Sequence, residues 1–287
     1  MRGAAHERGW ALVSVLCVVS MLALLAAGAQ ELTLSSARAE RATVDQTELD
    51  GDFGAGFTRA VLGIGDQRAE ARWRVEGIAQ AFAFDGARMQ ISVQDEAGRF
   101  DLNTVDGPTL THLLQSAGLS HEDAAALSDK IQDWRSANAD EASRLHGATD
   151  ADYAARGYPW HPRHAPFQSV DELELVMDMT PQLFARIRPA LTVYTKRMGI
   201  NPDVAPREAL HALFYEDPSK ADGILAARED AARRGAPTDT FNPDLAQYGE
   251  TYTIAIDLQK YGRRYHREFV AMLTGDEHRP YLMMAER

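Results

Sequence analysis

Residues 11–29 form a run of nineteen without a charge, broken only by Ser14, Ser20 and Gly28. A helix of that length crosses the hydrocarbon core of a bilayer, so the rest of the chain must be read around it. Arg2 and Arg8 precede the run, and basic residues on that flank favour keeping it in the cytoplasm. The remainder is ordinary folded protein: over 287 residues, 45% are hydrophobic and 25% charged, which excludes disordered and collagen-like classes. That length is enough for one large domain or two small ones. A net charge of −12 argues against general nucleic-acid binding, because neutralising phosphates requires a basic face. The single cysteine, Cys17, lies inside the apolar run, which leaves neither an intrachain disulfide nor a paired-cysteine zinc or redox motif.

Three readings of the N-terminus compete. The run is a plain membrane anchor, or a secretory signal peptide whose small residues Ala27-Gly28-Ala29 would leave Gln30 as the new terminus. The third is a prepilin leader, a short charged stretch ending in Arg8-Gly9 and cleaved ahead of the apolar helix. Residues 31–62 continue without proline, with Leu32, Leu34, Val44, Leu49, Phe53 and Phe57 spaced among polar residues. They read as an amphipathic extension of the same helix, weakened locally by Gly51, Gly54 and Gly56. A helix half apolar and half amphipathic, emerging from a short leader, is the layout of type IV pilin-like proteins and favours the third reading.

Beyond residue 62 the patterning is split. A run from Trp73 to Phe84, the dipeptide Asp85-Gly86 and the alternating segment 89–94 form a hairpin signal. Strand character then lapses and returns at 252–258, with further strands expected at 265–273 and 281–284. A sheet begun before a helical stretch and completed after it implies an insertion into an α+β domain. Within the insert, Pro108, Ser120, Ser169, Thr180-Pro181 and Ala205-Pro206 mark helix starts. Residues 133–168, rich in Asp, Gly and Pro, read as a structured loop. The expected division is a leader at 1–9, a transmembrane helix at 10–29, two pilin-like parts at 30–102 and 235–287, and a helical insert at 103–234.

Catalytic signatures are absent from the sequence: there is no GxSxG, Walker A, HExxH or dinucleotide-binding glycine pattern. His161 and His164 form an H-x-x-H within a proline-containing loop. With no helix to align them and no nearby third ligand in the sequence, they read as surface histidines. Asp133, Asp140, Glu141, Asp150 and Asp152 gather hard oxygen ligands of the kind calcium takes, with helix caps and solvated turns as the plainer reading.

Three features together resemble the minor pseudopilin K family of the type II secretion system. They are Arg8-Gly9 followed by Trp10-Ala-Leu-Val-Ser14; the segment Phe100-Asp-Leu-Asn-Thr104 at the head of the insert; and the long run from Gly147-Ala148 through Asp152-Tyr153, Pro162-Arg163, Pro166-Phe167 and Val170-Asp-Glu-Leu173 to Met179-Thr-Pro181. The likeness is weakest at 220–249. It implies a pilin-like α+β fold with an antiparallel sheet, interrupted by a large SAM-like all-α insert. It also implies a non-enzymatic subunit capping the tip of a periplasmic pseudopilus that exports folded proteins.

Further expectations follow from the resemblance. A prepilin peptidase cuts between Gly9 and Trp10, and the Trp10 amine is methylated. The protein spans the bacterial inner membrane once, with its C-terminal domain in the periplasm and lipid around the span. Ser14 stands where most pilins carry a glutamate, a departure typical of this family. Its partners are the minor pseudopilins I and J, and H, with Val44, Leu49 and Phe53 as contacts along the helix. Calcium is implied in the insert; Ser136, Asn138 and Thr149 replace usual ligands, leaving Asp133, Asp150 and Asp152 as candidates. The alternative is a membrane-anchored helix-hairpin-helix module for DNA uptake, disfavoured because the corresponding turn at 177–180 lacks glycine and carries Asp178.

Overall fold

The computed structural model describes residues 15–23, 45–66, 68–137, 144–235, 250–276 and 278–287. The chain divides into two units, Met1–Gly54 and Ala55–Arg287. In the first, residues 15–23 are helical and exposed, with Val15, Leu16, Val18, Val19, Met21 and Leu22 presenting apolar side chains. Among the described residues no helix is long and apolar enough to cross a membrane. Residues 45–64 are helical without a break, so the glycines at 51, 54 and 56 do not interrupt the segment.

In the second unit, a five-stranded antiparallel sheet has the order β1 (Gln80–Phe84), β2 (Ala87–Asp95), β5 (Thr251–Lys260), β6 (Arg263–Asp276) and β7 (Arg279–Glu286). Asp85 and Gly86 both take positive φ, 44° and 76°, which matches a two-residue hairpin turn to the strand twist. Tyr261 and Gly262 do the same between β5 and β6. The strand begins at Gln80 and not at Trp73; Gly77 at φ 80° breaks the earlier stretch, where only Glu76 bridges to Gln94. On β2, Met89, Ile91 and Val93 are buried while Arg88 and Gln90 face outward. On β5, Ile254, Ile256 and Leu258 continue the same inner face.

Helical residues 55–64 cover that face. Phe57 packs edge-on to Tyr281 at 4.9 Å between centroids and lies 5.1 Å from Phe269. A side chain at Gly56 would sit 3.0 Å from the Met89 sulfur and 3.1 Å from Ile256, so glycine there brings the helix close to the sheet.

β2 and β5 are neighbours, with Asp95 opposite Tyr252, although the whole insert separates them in sequence. The insert carries helices α1 (Gly107–Ser116), α2 (His121–Trp134), α3 (Asp150–Ala155), α4 (Pro181–Ile187), α5 (Arg207–Leu213) and α6 (Pro218–Arg233). Side-chain caps start the first four. Asp106 accepts from the Thr109 amide, Ser120 from Asp123 and Thr180 from Leu183, while Thr149 and Asp152 cap each other reciprocally. Leu102, Leu110, Leu114, Ile131, Leu173 and Leu210 are completely or almost completely buried in its core.

Three expectations are corrected here. The 133–168 loop contains helix α3, whose Thr149–Asp152 box lies amid turn-like residues. Val170–Leu175 is a 3₁₀ helix, because Ser169 caps the amide of Asp171 two residues on. The insert is not all-α: β4 (Leu191–Thr192) pairs in parallel with β3 (Phe100–Asp101) at its base.

A short 3₁₀ turn, Glu96–Gly98, joins sheet to insert. The Asn201 amide donates to the Ala97 carbonyl at 2.7 Å, and Gln94 Nε2 donates to the Val204 carbonyl at 2.7 Å. A Cβ on Gly98 would lie 2.6 Å from the Val204 carbonyl oxygen and 2.7 Å from the Ala205 backbone. Backbone cannot yield as a side-chain tip can, so Gly98→Ala is expected to lose about 1–3 kcal/mol. A melting curve would register this as a drop of roughly 2–12 °C; an unchanged melting temperature would contradict the packing.

Candidate functional site

The segment Phe100-Asp-Leu-Asn-Thr104 is a structural clasp. Asp101 Oδ1 accepts from the Asn103 amide at 2.8 Å, and Oδ2 accepts from the Lys196 amide at 2.7 Å. The Leu102 amide donates to the Thr192 carbonyl at 2.8 Å. Asn103 exchanges two hydrogen bonds with the Phe167 backbone, at 2.7 and 3.0 Å, and the Thr104 hydroxyl donates to the Arg197 carbonyl. Each residue joins the head of the insert to segments 64 to 95 positions away. Arg135 donates to the Leu102 and Val105 carbonyls from the end of α2, and burial holds its guanidinium below the usual value. Arg228 of α6 likewise donates to the Pro202 and Ala205 carbonyls. No sequence pattern had singled out Arg135 or Arg228 as ties of this kind.

Charges also line the junction of insert and sheet. Arg188 meets Glu268 at 3.0 Å and Asp171 at 3.5 Å, and Arg287 reaches Asp171 at 3.2 Å. Burial alone would lower the Arg188 pKa, but the Glu268 and Asp171 carboxylates outweigh it and hold it up. Glu268 is held below the usual carboxylate range: burial opposes this, but Arg188 prevails.

The three aspartates expected to hold calcium each meet a different group of the chain, and Asp133 Oδ2 is buried without a hydrogen-bond partner among the described residues. Asp133 is buried and pairs with Arg144 at 2.5 Å; burial raises its pKa. Asp152 accepts from the Thr149 amide at 2.8 Å and from its hydroxyl at 2.6 Å, which pins it to the cap. Asp150 instead faces His164 Nε2 at 2.8 Å. Among the described residues these three carboxylates are not gathered into one group of donor atoms. Asp140 and Glu141 lie outside the described residues.

The turn at 177–180 is filled by its own carboxylate. Asp178 stands in the left-handed region at φ 69° and takes salt bridges from Lys130 and Arg156, each at 2.5 Å. A phosphate would meet that carboxylate and find both cations engaged. Of the helix positions, Leu49 is half-buried and Phe53 is 2% exposed, while Gly9, Trp10 and Val44 lie outside the described residues.

Comparisons with known proteins converge. A family model described as type II secretion system (T2SS), protein K, matches residues 93–196, a span that contains the clasp and both of its strands. The type II secretion system protein K of Pseudomonas aeruginosa is 25% identical over 98% of this chain and 89% of its own length. The protein of the same name from Klebsiella pneumoniae is 24% identical over 73% of this chain and 71% of its own. One chain in the crystal structure of the GspK–GspI–GspJ complex from enterotoxigenic Escherichia coli shares the fold, with a TM-score of 0.62. That match covers 86% of this chain and 98% of the other, at 14% identity.

Proposed function

We propose, from the premise that the chain belongs to the type II secretion system protein K family, that it is a non-enzymatic minor pseudopilin at the tip of a periplasmic pseudopilus. The near full-length correspondence with the Pseudomonas aeruginosa protein carries this reading. Residues 10–29 hold the protein in the bacterial inner membrane, and the exposed apolar side chains of residues 15–23 suit a lipid environment. The domain beyond lies in the periplasm. Its partners are the I- and J-type minor pseudopilins, named with protein K in the related complex, together with the H-type subunit. A prepilin peptidase removes residues 1–9 and the Trp10 amine is methylated. The helical insert, fastened at its base by the clasp, obstructs addition of a further subunit and so caps the assembly. Nucleic acid is not a partner: the net charge is −12 and Asp178 occupies the turn that would hold phosphate.

Two measurements test this. Mass spectrometry of the mature chain should find methylated Trp10 at its N-terminus, and a chain beginning at Gln30 would overturn the pilin reading. Val44→Glu and Leu49→Glu, made on the helix, should weaken co-purification with the I- and J-type subunits about tenfold, equivalent to about 1.4 kcal/mol. Undiminished recovery of the complex by both variants would remove the helix as its binding element.

A further inference from the structure

At one end of the sheet two hairpin tips stand side by side: Asp85-Gly86 between β1 and β2, and Tyr261-Gly262 between β5 and β6. The buried Lys260 ties them together, its ammonium 3.7 Å from the Asp85 carboxylate. We propose that this end of the head is a docking surface for a bilayer that contains anionic phospholipid. The proposal rests on the anchoring of the chain by residues 10–29 and goes beyond it, because it gives the folded head a membrane contact of its own.

The tips lie where the chain enters the head. Gly56 sits over Met89, near the tip end of β2. Seven residues on, the Gly63 carbonyl accepts from the Trp73 amide at 2.9 Å. Two residues beyond Trp73, the Val75 carbonyl accepts from the amide of Asp95, at the opposite end of β2, at 2.7 Å. The helix therefore runs from the tips toward the junction with the insert. The insert occupies the far end of the sheet, where Asp95 stands opposite Tyr252, and the tips are at the end joined to the anchor.

The side chains there suit a lipid interface. Tyr261 is 75% exposed and Phe84 47%, with Phe84 stacked on Phe82 at 6.5 Å between centroids. Arg88, Arg263 and Arg264 are exposed around them, and register sets Arg88 and Arg264 on either side of Gln259 across β2, β5 and β6. Among the described residues none of these three arginines forms an ion pair, whereas Arg68, Arg144, Arg156 and Arg188 each meet a carboxylate. Lys260 and Asp85 offset each other, and Asp257, the next residue on that face of β5, faces His266 at 2.8 Å. This end is therefore positive on a chain whose net charge is −12. Guanidinium groups pair with lipid phosphates, and aromatic rings settle at headgroup level. A head tethered to the bilayer also meets it at high effective concentration, so a weak surface suffices.

The full chain reconstituted in lipid nanodiscs tests this, in a Cys17→Ser background that leaves one engineered cysteine to label. An environment-sensitive fluorophore at Ala83→Cys, exposed beside Phe84 on β1, reads the tips; the same label at Leu145→Cys, 89% exposed in the insert, is the control. In discs containing phosphatidylglycerol the label at 83 should shift to the blue and be quenched by headgroup spin-labelled lipid, and in phosphatidylcholine alone much less so. The label at 145 should respond in neither. Arg263→Glu combined with Arg264→Glu should lower the ratio of docked to free head at least about tenfold. Phe84→Ser with Tyr261→Ser should lower it too, and high salt should weaken docking of the parent. All four positions are exposed, so these variants do not challenge the fold. Arg279→Glu, at the opposite end of the sheet between β6 and β7, should change nothing. A chain that does not enter the discs removes the anchored reading and this proposal with it. A chain that enters them but gives the same signal at 83 in both lipids, or an unchanged signal after the charge reversals, overturns the docking alone.

Discussion

Glu96→Ala should cost about 3–5 kcal/mol of stability, seen as a fall in melting temperature of roughly 10 °C. The Glu96 side chain is 1% exposed at the turn joining sheet to insert. Its Oε1 accepts from Arg99 Nη1 at 2.6 Å and from the Thr253 hydroxyl at 2.7 Å, and Arg99 also reaches Thr253 at 3.3 Å. Arg99 is itself only 19% exposed, and its Nε is buried without a hydrogen-bond partner among the described residues. Removing the carboxylate leaves a largely buried cation uncompensated, the costly way to break a buried pair. Arg99→Ala should destabilise less, and the double variant should recover part of the Glu96→Ala loss. Thermal melts of the four proteins form the cycle. A loss below about 1 kcal/mol for Glu96→Ala would mean that the pair is solvated and contributes little.

The neighbouring residue gives the second large effect, one that depends on pH. Asp95 is pushed up to about 7, chiefly by burial, with the Glu250 and Glu96 carboxylates adding to the rise and the Ala97 amide and Arg197 opposing it. By surface area Asp95 is only half-buried, but protein packs closely around its carboxylate. The buried Tyr252 hydroxyl, opposite Asp95 in register, is likewise pushed up, by burial first and by these acids second. Since the folded chain holds the Asp95 proton more tightly than the unfolded chain does, this residue favours the fold most below the ordinary value of 3.8. That advantage fades as pH rises and is gone above about 7. A shift of this size corresponds to roughly 2–4 kcal/mol. Asp95→Asn keeps an acceptor for the Ala97 amide, which now donates to Asp95 at 2.8 Å. It should therefore be more stable than the parent at pH 8 by about that amount, and nearly equal to it at pH 4. Denaturant unfolding of both proteins at the two pH values measures the difference; equal stability at pH 8 would show that the parent's carboxylate is not strained.

The β1–β2 hairpin and strand β5 were legible because period-2 alternation and an Asp-Gly turn are local signals. Helices α1, α2 and α4 were legible because Pro108, Ser120 and Thr180-Pro181 mark their starts locally, although the Asp106 cap of α1 emerged only in the structure. Helix α3 escaped notice: six residues are too few to show a period, and its Thr149–Asp152 box sits among turn-formers. The β3–β4 pairing escaped because Phe100 and Leu191 are 91 positions apart and each strand has two residues. The candidate site divided along the same line. The two histidines were visible as H-x-x-H, but the carboxylate they face, Asp150, is 11 positions upstream of His161 and meets them only through the fold. The aspartates drew notice as a cluster in sequence, yet pairing with Arg144 and capping by Thr149 separate them in space.

The adjacency of β2 and β5 has a consequence for the order in which the protein is made. At about 5–20 residues per second, the roughly 150 residues between Asp95 and Tyr252 take on the order of 8–30 s to appear. For that interval β2 has β1 on one side and an open hydrogen-bonding edge on the other, with Met89, Ile91 and Val93 on one face. An uncovered apolar edge invites wrong pairing. The insert, with its own buried core and a clasp made wholly of residues 100–197, is complete before β5 exists. The nascent chain therefore meets its final strands with the insert already closed, and the sheet is the last part of the molecule to form.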